Sequence, residues 1–275
     1  MPELPELEVL KDIVLQSIIG KKIKKLKLLK PYIIKNYLTG NLTNEEVKEV
    51  ERRGKYIIIG LTAHKIIIHL MLHGGLRFMM PHAKIKKSAA ALIEFHDHSI
   101  LELSEAGSKK QAAIYVLSNA DTLDKIEKLG IDPLQNDFTK EALKILLQKE
   151  QRQLKSFLCD QGNIAGIGNA YADEILWQAG ISPFRITTKL DNKEIEKLYK
   201  ATIYVLRWAI DRVKNQGSSE KRTFLRIHNR KGKACLKCGT IIMSIRFTDR
   251  ETFYCPKCQA RGKIFKDRVM SRFYR

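Results

Sequence analysis

Apolar positions in the first eighteen residues recur at helical spacing: Leu4, Leu7, Val14, Leu15 and Ile18. From about residue 21 to 117 the period changes to short β runs, "KIKKLKLL", "KYIIIGL", "KIIIHLML", "AALIEF" and "SILEL". Several short strands separated by brief turns predict a β-sandwich or flattened barrel. The stretch "GIDPLQNDF" (130–138) breaks the period and reads as a linker. Beyond it the pattern predicts helices over about 139–149, 151–160, 169–179 and 191–213. Asp191 and Glu194 are spaced as a capping box for the last of these. The expected architecture is α+β in three blocks: a sandwich with flanking helices (1–130), a helical block (131–216) and a small terminal element (217–275).

Five cysteines sharpen the last block. "CLKC" at Cys235 and Cys238 and "CPKC" at Cys255 and Cys258 are separated by 16 residues. Two such knuckles fit a tetrahedral four-thiolate zinc site with no open position, hence a structural metal. Two disulfides are the alternative, but nothing in the sequence suggests export to an oxidising compartment. Between the knuckles "TIIMSIRFTDRETFY" reads as a hairpin turning at "TDRE", a ribbon too small to hold its shape without metal. Cys159 is left over, on a helical apolar face, and is expected to be buried.

Charge narrows the partner. The 275 residues hold 50 Lys+Arg against 30 Asp+Glu, and +12 of the net +20 falls after residue 216. Such a balance favours a polyanion. No apolar run approaches a membrane span, and the N-terminus lacks the layout of a signal peptide, so a cytoplasmic protein acting on nucleic acid is expected. The lysines of "KKIKKLKLLK" read as a solvated strand face. His69 with His73, and the His96–Asp97–His98 group, do not have metal-site spacing on strands and turns.

The N-terminus carries the candidate chemistry. With Met1 removed, Pro2 presents a secondary α-amine, more often neutral at pH 7 than a lysine and able to form a Schiff base. Glu3 beside it is placed for proton transfer. Proline and acidic residues are equally at home in a first helical turn, which is the rival reading. A second clue is "DQGNIAGIGNAYADEIL", whose glycines make a long connection between two helices and set Asn169 at a helix start, where phosphates bind.

With "PELPE", "RRGKY", "GIGNAYADEILWQAGISP" and "CLKCGT…RETFYCPKC", the chain resembles the formamidopyrimidine-DNA glycosylase/endonuclease VIII family from Pro2 to about Gln259. The resemblance implies a helix–two-turn–helix, a structural zinc, and a monomeric bifunctional glycosylase of base excision repair working on damaged duplex DNA, with single-stranded or bubble DNA a further substrate. It implies Pro2 as nucleophile, Glu3 as proton shuttle, Glu6 as organiser of the centre, and Lys55, Asn169 and Arg250 as phosphate holders, with Lys155 also among the DNA-binding residues. Family members fill the gap left by the flipped base with three side chains. Leu72 or His73 matches the first, and Lys109, Lys110 or Gln111 stands where the others are expected. The Arg and Phe of the formamidopyrimidine branch are not present in "SEAGSKKQAAIY". The stretch before the ribbon is short for a loop that covers 8-oxoguanine, so ring-opened purines, oxidised pyrimidines and abasic sites are the expected lesions. The tail beyond Gln259 reads as a basic arm adding non-specific affinity. Two alternatives are a non-catalytic zinc-ribbon DNA-binding protein on the same fold and an RNA-binding zinc protein.

Overall fold

The computed structural model describes residues 1–36, 41–216, 222–247 and 250–265. The chain divides into two compact units, Met1–Lys128 and Leu129–Arg275. The first opens with helix α1 (Leu4–Ile18) and continues as eight strands: β1 (Ile23–Leu28), β2 (Val47–Arg53), β3 (Tyr56–Leu61), β4 (His64–His69), β5 (Gly74–Met79), β6 (Ala89–Phe95), β7 (Ile100–Glu105) and β8 (Ala113–Ser118). They form two antiparallel four-stranded sheets, ordered β1-β6-β7-β5 and β2-β3-β4-β8. Ile57, Ile59, Ile66 and Ile68 of one sheet share a buried core with Ile93, Leu101 and Leu103 of the other and with Leu7, Val14 and Ile18 of α1. This is the expected sandwich, with α1 as its plug.

The runs "YIIIGL" and "KIIIHL" are apolar at successive positions because both faces of their sheet are covered. Ile57, Ile59, Ile66 and Ile68 point into the core. Ile58, Ile67 and Tyr115 lie in a second cluster with Leu123 and Ile126, at and in the short helix α2 (Asp124–Glu127). The run "KIIIHLML" does not stay extended to its end. β4 stops at His69, and residues 71–73 form a turn, so His73 is a turn residue and not a strand residue. Three strands were missed by pattern alone. β2 ("VKEVERR") is an edge strand whose polar positions face outward, a common defence of a sheet edge.

The second unit contains α3 (Lys140–Lys149), α4 (Leu154–Cys159), α5 (Asn169–Ala179), α6 (Asn192–Gln216), the hairpin β9 (Met243–Phe247) and β10 (Arg250–Tyr254), and α7 (Pro256–Ala260). Asp191 and Glu194 exchange the reciprocal bonds of a capping box, at 2.8 and 3.1 Å. α4 is shorter than the expected 151–160. Cys159, its last residue, is half-buried rather than buried. The start of the expected linker is packed structure: Gly130 N–H bonds Gln161 O at 2.8 Å and Ile131 N–H bonds Asn163 O at 3.1 Å. The expected third block does not stand alone. Trp177 of α5 lies in one apolar cluster with Ile227, Cys235, Ile242 and Phe253, so helices and ribbon form one unit. The hairpin turn at Thr248 and Asp249, most of the basic tail and residues 217–221 lie outside the described residues.

Gly74 opens β5 where its N–H bonds Leu70 O at 2.8 Å, and a Cβ there would sit 2.2 Å from that same oxygen. At neighbouring Gly75 the nearest atom to such a Cβ is Ser104 Oγ at 3.5 Å, an ordinary contact. Gly74→Ala should therefore destabilise the protein by about 2 kcal/mol or more, and Gly75→Ala by less than about 1 kcal/mol. Urea denaturation of the two variants side by side checks this; equal losses would contradict the backbone clash.

Candidate active site and zinc ribbon

Glu3 is the N-cap of α1, and its backbone N–H donates to Glu6 Oε2 at 2.9 Å. The proline of the first helical turn is Pro5, not Pro2. Pro2 thus lies ahead of the helix, half-buried, and has no part in the helical ladder. Glu3 is only 4% exposed. The first turn places the Pro2 nitrogen and two carboxylates, Glu3 and Glu6, within one short stretch of backbone.

Lys55 is not on a strand. It is the second residue of the two-residue turn joining β2 to β3, after Gly54 at φ +56°, with Arg53 paired to Tyr56 across it. Its side chain is buried (7% exposed). Arg52 holds this turn against α1: Nη1 donates to Gly54 O at 3.0 Å and Nε to Glu8 Oε2 at 2.5 Å. Burial works to raise the Glu8 carboxyl, but hydrogen bonds from Lys11 and Arg52 outweigh it and hold the group below the usual range. Sequence reasoning passed over this arginine because its neighbours look like a plain charged strand.

His69, whose spacing gives no metal site, links two candidate elements. Its Nδ1 accepts the Met71 N–H at 3.1 Å, and its ring meets Tyr56 edge-on at 4.6 Å. Burial, then the positive charges of Lys55 and Lys125, push its imidazole down to about 4. The ring is therefore neutral at pH 7, with Nδ1 bare to receive the backbone donor. Met71, at φ +51°, starts the turn that carries Leu72 (46% exposed) and exposed His73.

That turn lies against the loop holding Lys109 and Lys110. Ala106 N–H bonds His73 O at 3.1 Å, and Gly107 at φ +81° passes close to the His73 ring. The structure thus brings the two candidate void-filling segments together. The loop is braced from inside by fully buried Glu105, whose Oε1 accepts the N–H groups of Gln111 and Ala112 at 2.7 and 2.8 Å. Lys110 folds back, its Nζ donating to Glu105 O at 2.7 Å, whereas Lys109 and Gln111 are exposed.

In the second unit one carbonyl oxygen gathers the predicted residues. Glu251 O accepts Lys155 Nζ at 2.9 Å and Asn169 Nδ2 at 3.1 Å, and Arg250, the preceding residue, is exposed at the start of β10. Asn169 is the first residue of α5 behind an N-cap at Gly168, so its amide is not a cap. Lys155, expected among the DNA-binding residues, is 6% exposed and pairs internally with Asp173 at 2.7 Å. Asp173 also meets His228 Nδ1 at 2.7 Å. Glu174, 1% exposed, accepts the N–H groups of Arg226, Ile227 and His228 at 2.8 to 3.0 Å. Burial raises its carboxyl in spite of these three donors.

The sulfur atoms of Cys235, Cys238, Cys255 and Cys258 all lie within 4.8 Å of one another, and none is in a disulfide. A tetrahedron of thiolates about 2.3 Å from zinc has edges of about 3.8 Å, so this cluster has the size for it. The first knuckle closes through Gly239 N–H to Cys235 O at 2.9 Å, with Gly239 at φ +73°. The Trp177 indole donates to Cys235 Sγ at 3.3 Å, and Lys237 lies over that ring and bonds Trp177 O and Gln178 O. All-sulfur donors in this arrangement fit a structural zinc.

Residues 1–116 match the family model described as the formamidopyrimidine-DNA glycosylase N-terminal domain. Residues 129–221 match its H2TH domain, and residues 232–261 a zinc finger found in FPG and IleRS. The formamidopyrimidine-DNA glycosylase of Carboxydothermus hydrogenoformans is 34% identical over 94% of this chain and all of its own length. The chain belongs to the formamidopyrimidine-DNA glycosylase family. Among solved structures, a Lactococcus lactis FPG mutant with Fapy-dG-containing DNA superposes on this glycosylase at TM-score 0.84 with 28% identity, covering 94% of this chain and 100% of that one. A MutM in complex with carbocyclic 8-oxo-G-containing DNA gives the same score, identity and coverage. No described helix of the glycosylase is long and apolar enough to cross a membrane.

The neutral His69 makes stability depend on pH in a definite sense. Its pKa is about 4 when folded and about 6.5 when unfolded, so the unfolded chain takes the proton first. Stability is complete above about pH 6.5 and falls as pH drops towards 4, by about 3 kcal/mol in all. His69→Gln keeps an acceptor for Met71 and removes the titration. Urea unfolding between pH 7 and 4.5 should show the wild type losing about 2 kcal/mol more than this variant; parallel profiles would contradict the assignment.

Proposed function

We propose that this glycosylase is bifunctional, excising damaged bases from DNA through the Pro2 amine and then nicking the strand. The observation that carries the reading is the N-terminus: Pro2 stands outside a helix already supplied with Pro5, beside a buried Glu3 held in place through Glu6. The lesion has to leave the stack before its sugar can be reached. The Pro2 nitrogen, freed by removal of Met1, forms a bond to the anomeric carbon as the glycosidic bond breaks and the base departs with a proton. Glu3 protonates the ring oxygen, so the sugar opens to an iminium. The iminium acidifies the adjacent sugar C–H; loss of that proton expels the 3′-phosphate by β-elimination, and the 5′-phosphate follows in a δ step. Water then hydrolyses the link and returns the amine. Lys55, Asn169 and Arg250 hold phosphates, Asn169 and Arg250 being set by the Glu251 carbonyl and by β10. Leu72, with His73 and Lys109, fills the space left by the base. One zinc per chain keeps the ribbon in shape, which positions Arg250. The partner is damaged duplex DNA, and the protein acts as a monomer in the cytoplasm.

Borohydride trapping tests the nucleophile. The mature protein should form a covalent adduct with abasic DNA, and a variant with an N-terminal tag that acylates Pro2 should bind the same DNA without cutting or trapping. Full cleavage by the tagged form would remove Pro2 from the mechanism.

Lesion choice rests on the loop beside the Leu72 turn. Flipping costs a few kcal/mol, least where pairing is already weak. With the formamidopyrimidine branch's Arg and Phe replaced, and only a short segment before the ribbon, the enzyme should depend on that discount. Single-turnover rates in one duplex context should rank an abasic site and a saturated pyrimidine above 8-oxoguanine opposite cytosine. Fastest removal of 8-oxoguanine would refute the ranking, and would show that a relative's 8-oxo-G complex is the better guide.

A further inference from the structure

Two connections cross from one sheet of the first unit to the other at the same end. Residues 70–73 lead from β4 into β5, and residues 106–112 lead from β7 into β8. Their ends are paired in both sheets, His69 with Ala113 and Gly74 with Glu105. Leu72 lies on the first crossing and Lys109 on the second.

Glu105 stands where the crossings meet, and three of its polar groups hold them. Its N–H bonds Ser88 O at 2.9 Å, and its carbonyl oxygen accepts Lys110 Nζ at 2.7 Å. Its Oε1 accepts the N–H groups of Gln111 and Ala112, six and seven residues away, at 2.7 and 2.8 Å. None of residues 106–112 lies in a strand, so this carboxylate does for the crossing what a sheet ladder does elsewhere. A buried carboxylate persists where hydrogen bonds replace its water. A charged acceptor also binds N–H groups about twice as strongly as a neutral one. That strength is applied here to the backbone of the loop that touches the Leu72 turn, where Ala106 N–H bonds His73 O at 3.1 Å. The turn keeps its own closure, Gly74 N–H to Leu70 O at 2.8 Å, without the carboxylate.

We propose that Glu105 is a positioning residue for base extrusion. By holding the 106–112 crossing against the Leu72 turn, it sets how well the protein replaces the extruded base inside duplex DNA. The inference rests on the void-filling role proposed above for Leu72 and its neighbours. Glu105 is fully buried and acts through the backbone of Gln111 and Ala112. Its contribution is confined to lesions that face a partner base, because an unpaired base has no pairing to lose when it leaves the stack.

Hydrogen exchange on the full chain reads the grip directly. The Gln111 and Ala112 amides should exchange about a hundredfold more slowly than free loop amides; exchange at loop rates would overturn the proposal. In Glu105→Ala both should lose that protection while β6 and β7 keep theirs. Single-turnover excision of one saturated pyrimidine is then compared in two duplexes, opposite adenine and opposite a single-nucleotide gap. Glu105→Ala should lower the first rate about tenfold or more and the second by less than about threefold. Glu105→Gln, which keeps an acceptor in place, should return the ratio of the two rates to within about threefold of the wild type. Equal losses in both duplexes would reveal a merely structural role and overturn the proposal. Leu72→Ala separates the two readings. If it lowers the ratio and Glu105→Ala does not, the positioning role falls alone; if neither does, the void-filling role falls with it.

Discussion

The second unit is organised around two adjacent carboxylates buried in the middle of a helix. Asp173 and Glu174 are 0% and 1% exposed, on α5, whose residues from Ala170 to Trp177 are all buried. A buried charge without partners is too costly to persist. Asp173 has Lys155 and His228, and Glu174 has three successive backbone N–H groups of the segment leading to the ribbon. Each partner belongs to a different piece of chain. Meeting the electrostatic demand of one helix turn therefore fixes where α4, the 226–228 segment and, through the Glu251 carbonyl, the β10 strand must lie. The exposed Arg250 inherits its position from that network.

The same demand explains why the ribbon is not an independent module. Four cysteines around a metal can in principle fold a knuckle pair by themselves. Here one of them accepts the Trp177 indole N–H, and Phe253 and Ile242 share an apolar cluster with that tryptophan. The cysteine cluster gathers the two knuckles, and the helix gives the hairpin a bearing.

Much of this was legible in the sequence because it depends on local pattern. The isoleucine runs, the α6 capping box and the cysteine spacing are signals contained in a few residues. What was not legible depends on contacts between distant segments. Lys55 looked like a strand residue because nothing in "RRGKY" reveals that Gly54 adopts a left-handed turn with Arg52 reaching back to Glu8. His73 looked extended because the turn after His69 has no proline or glycine at its start, and is made by a histidine nitrogen accepting the Met71 N–H. That Lys155 is buried was not legible, because its partner Asp173 is eighteen positions away on another helix. The roles proposed for Pro2 and Glu3 rest on chemistry that sequence already contained; the structure adds that Pro5, not Pro2, is the proline of the first helical turn.

The loop after β7 is held by a carboxylate rooted in the core, not by the side chains at its tip. Glu105 grips the backbone of Gln111 and Ala112 and leaves Lys109 on the outside. The path of the loop is consequently insensitive to what residues 108 and 109 happen to be. Such a scaffold allows tip residues to be exchanged, in nature or by hand, without refolding anything beneath them. Under the void-filling role proposed for this tip, the damage an enzyme favours would change through a few surface codons while the core beneath stays untouched.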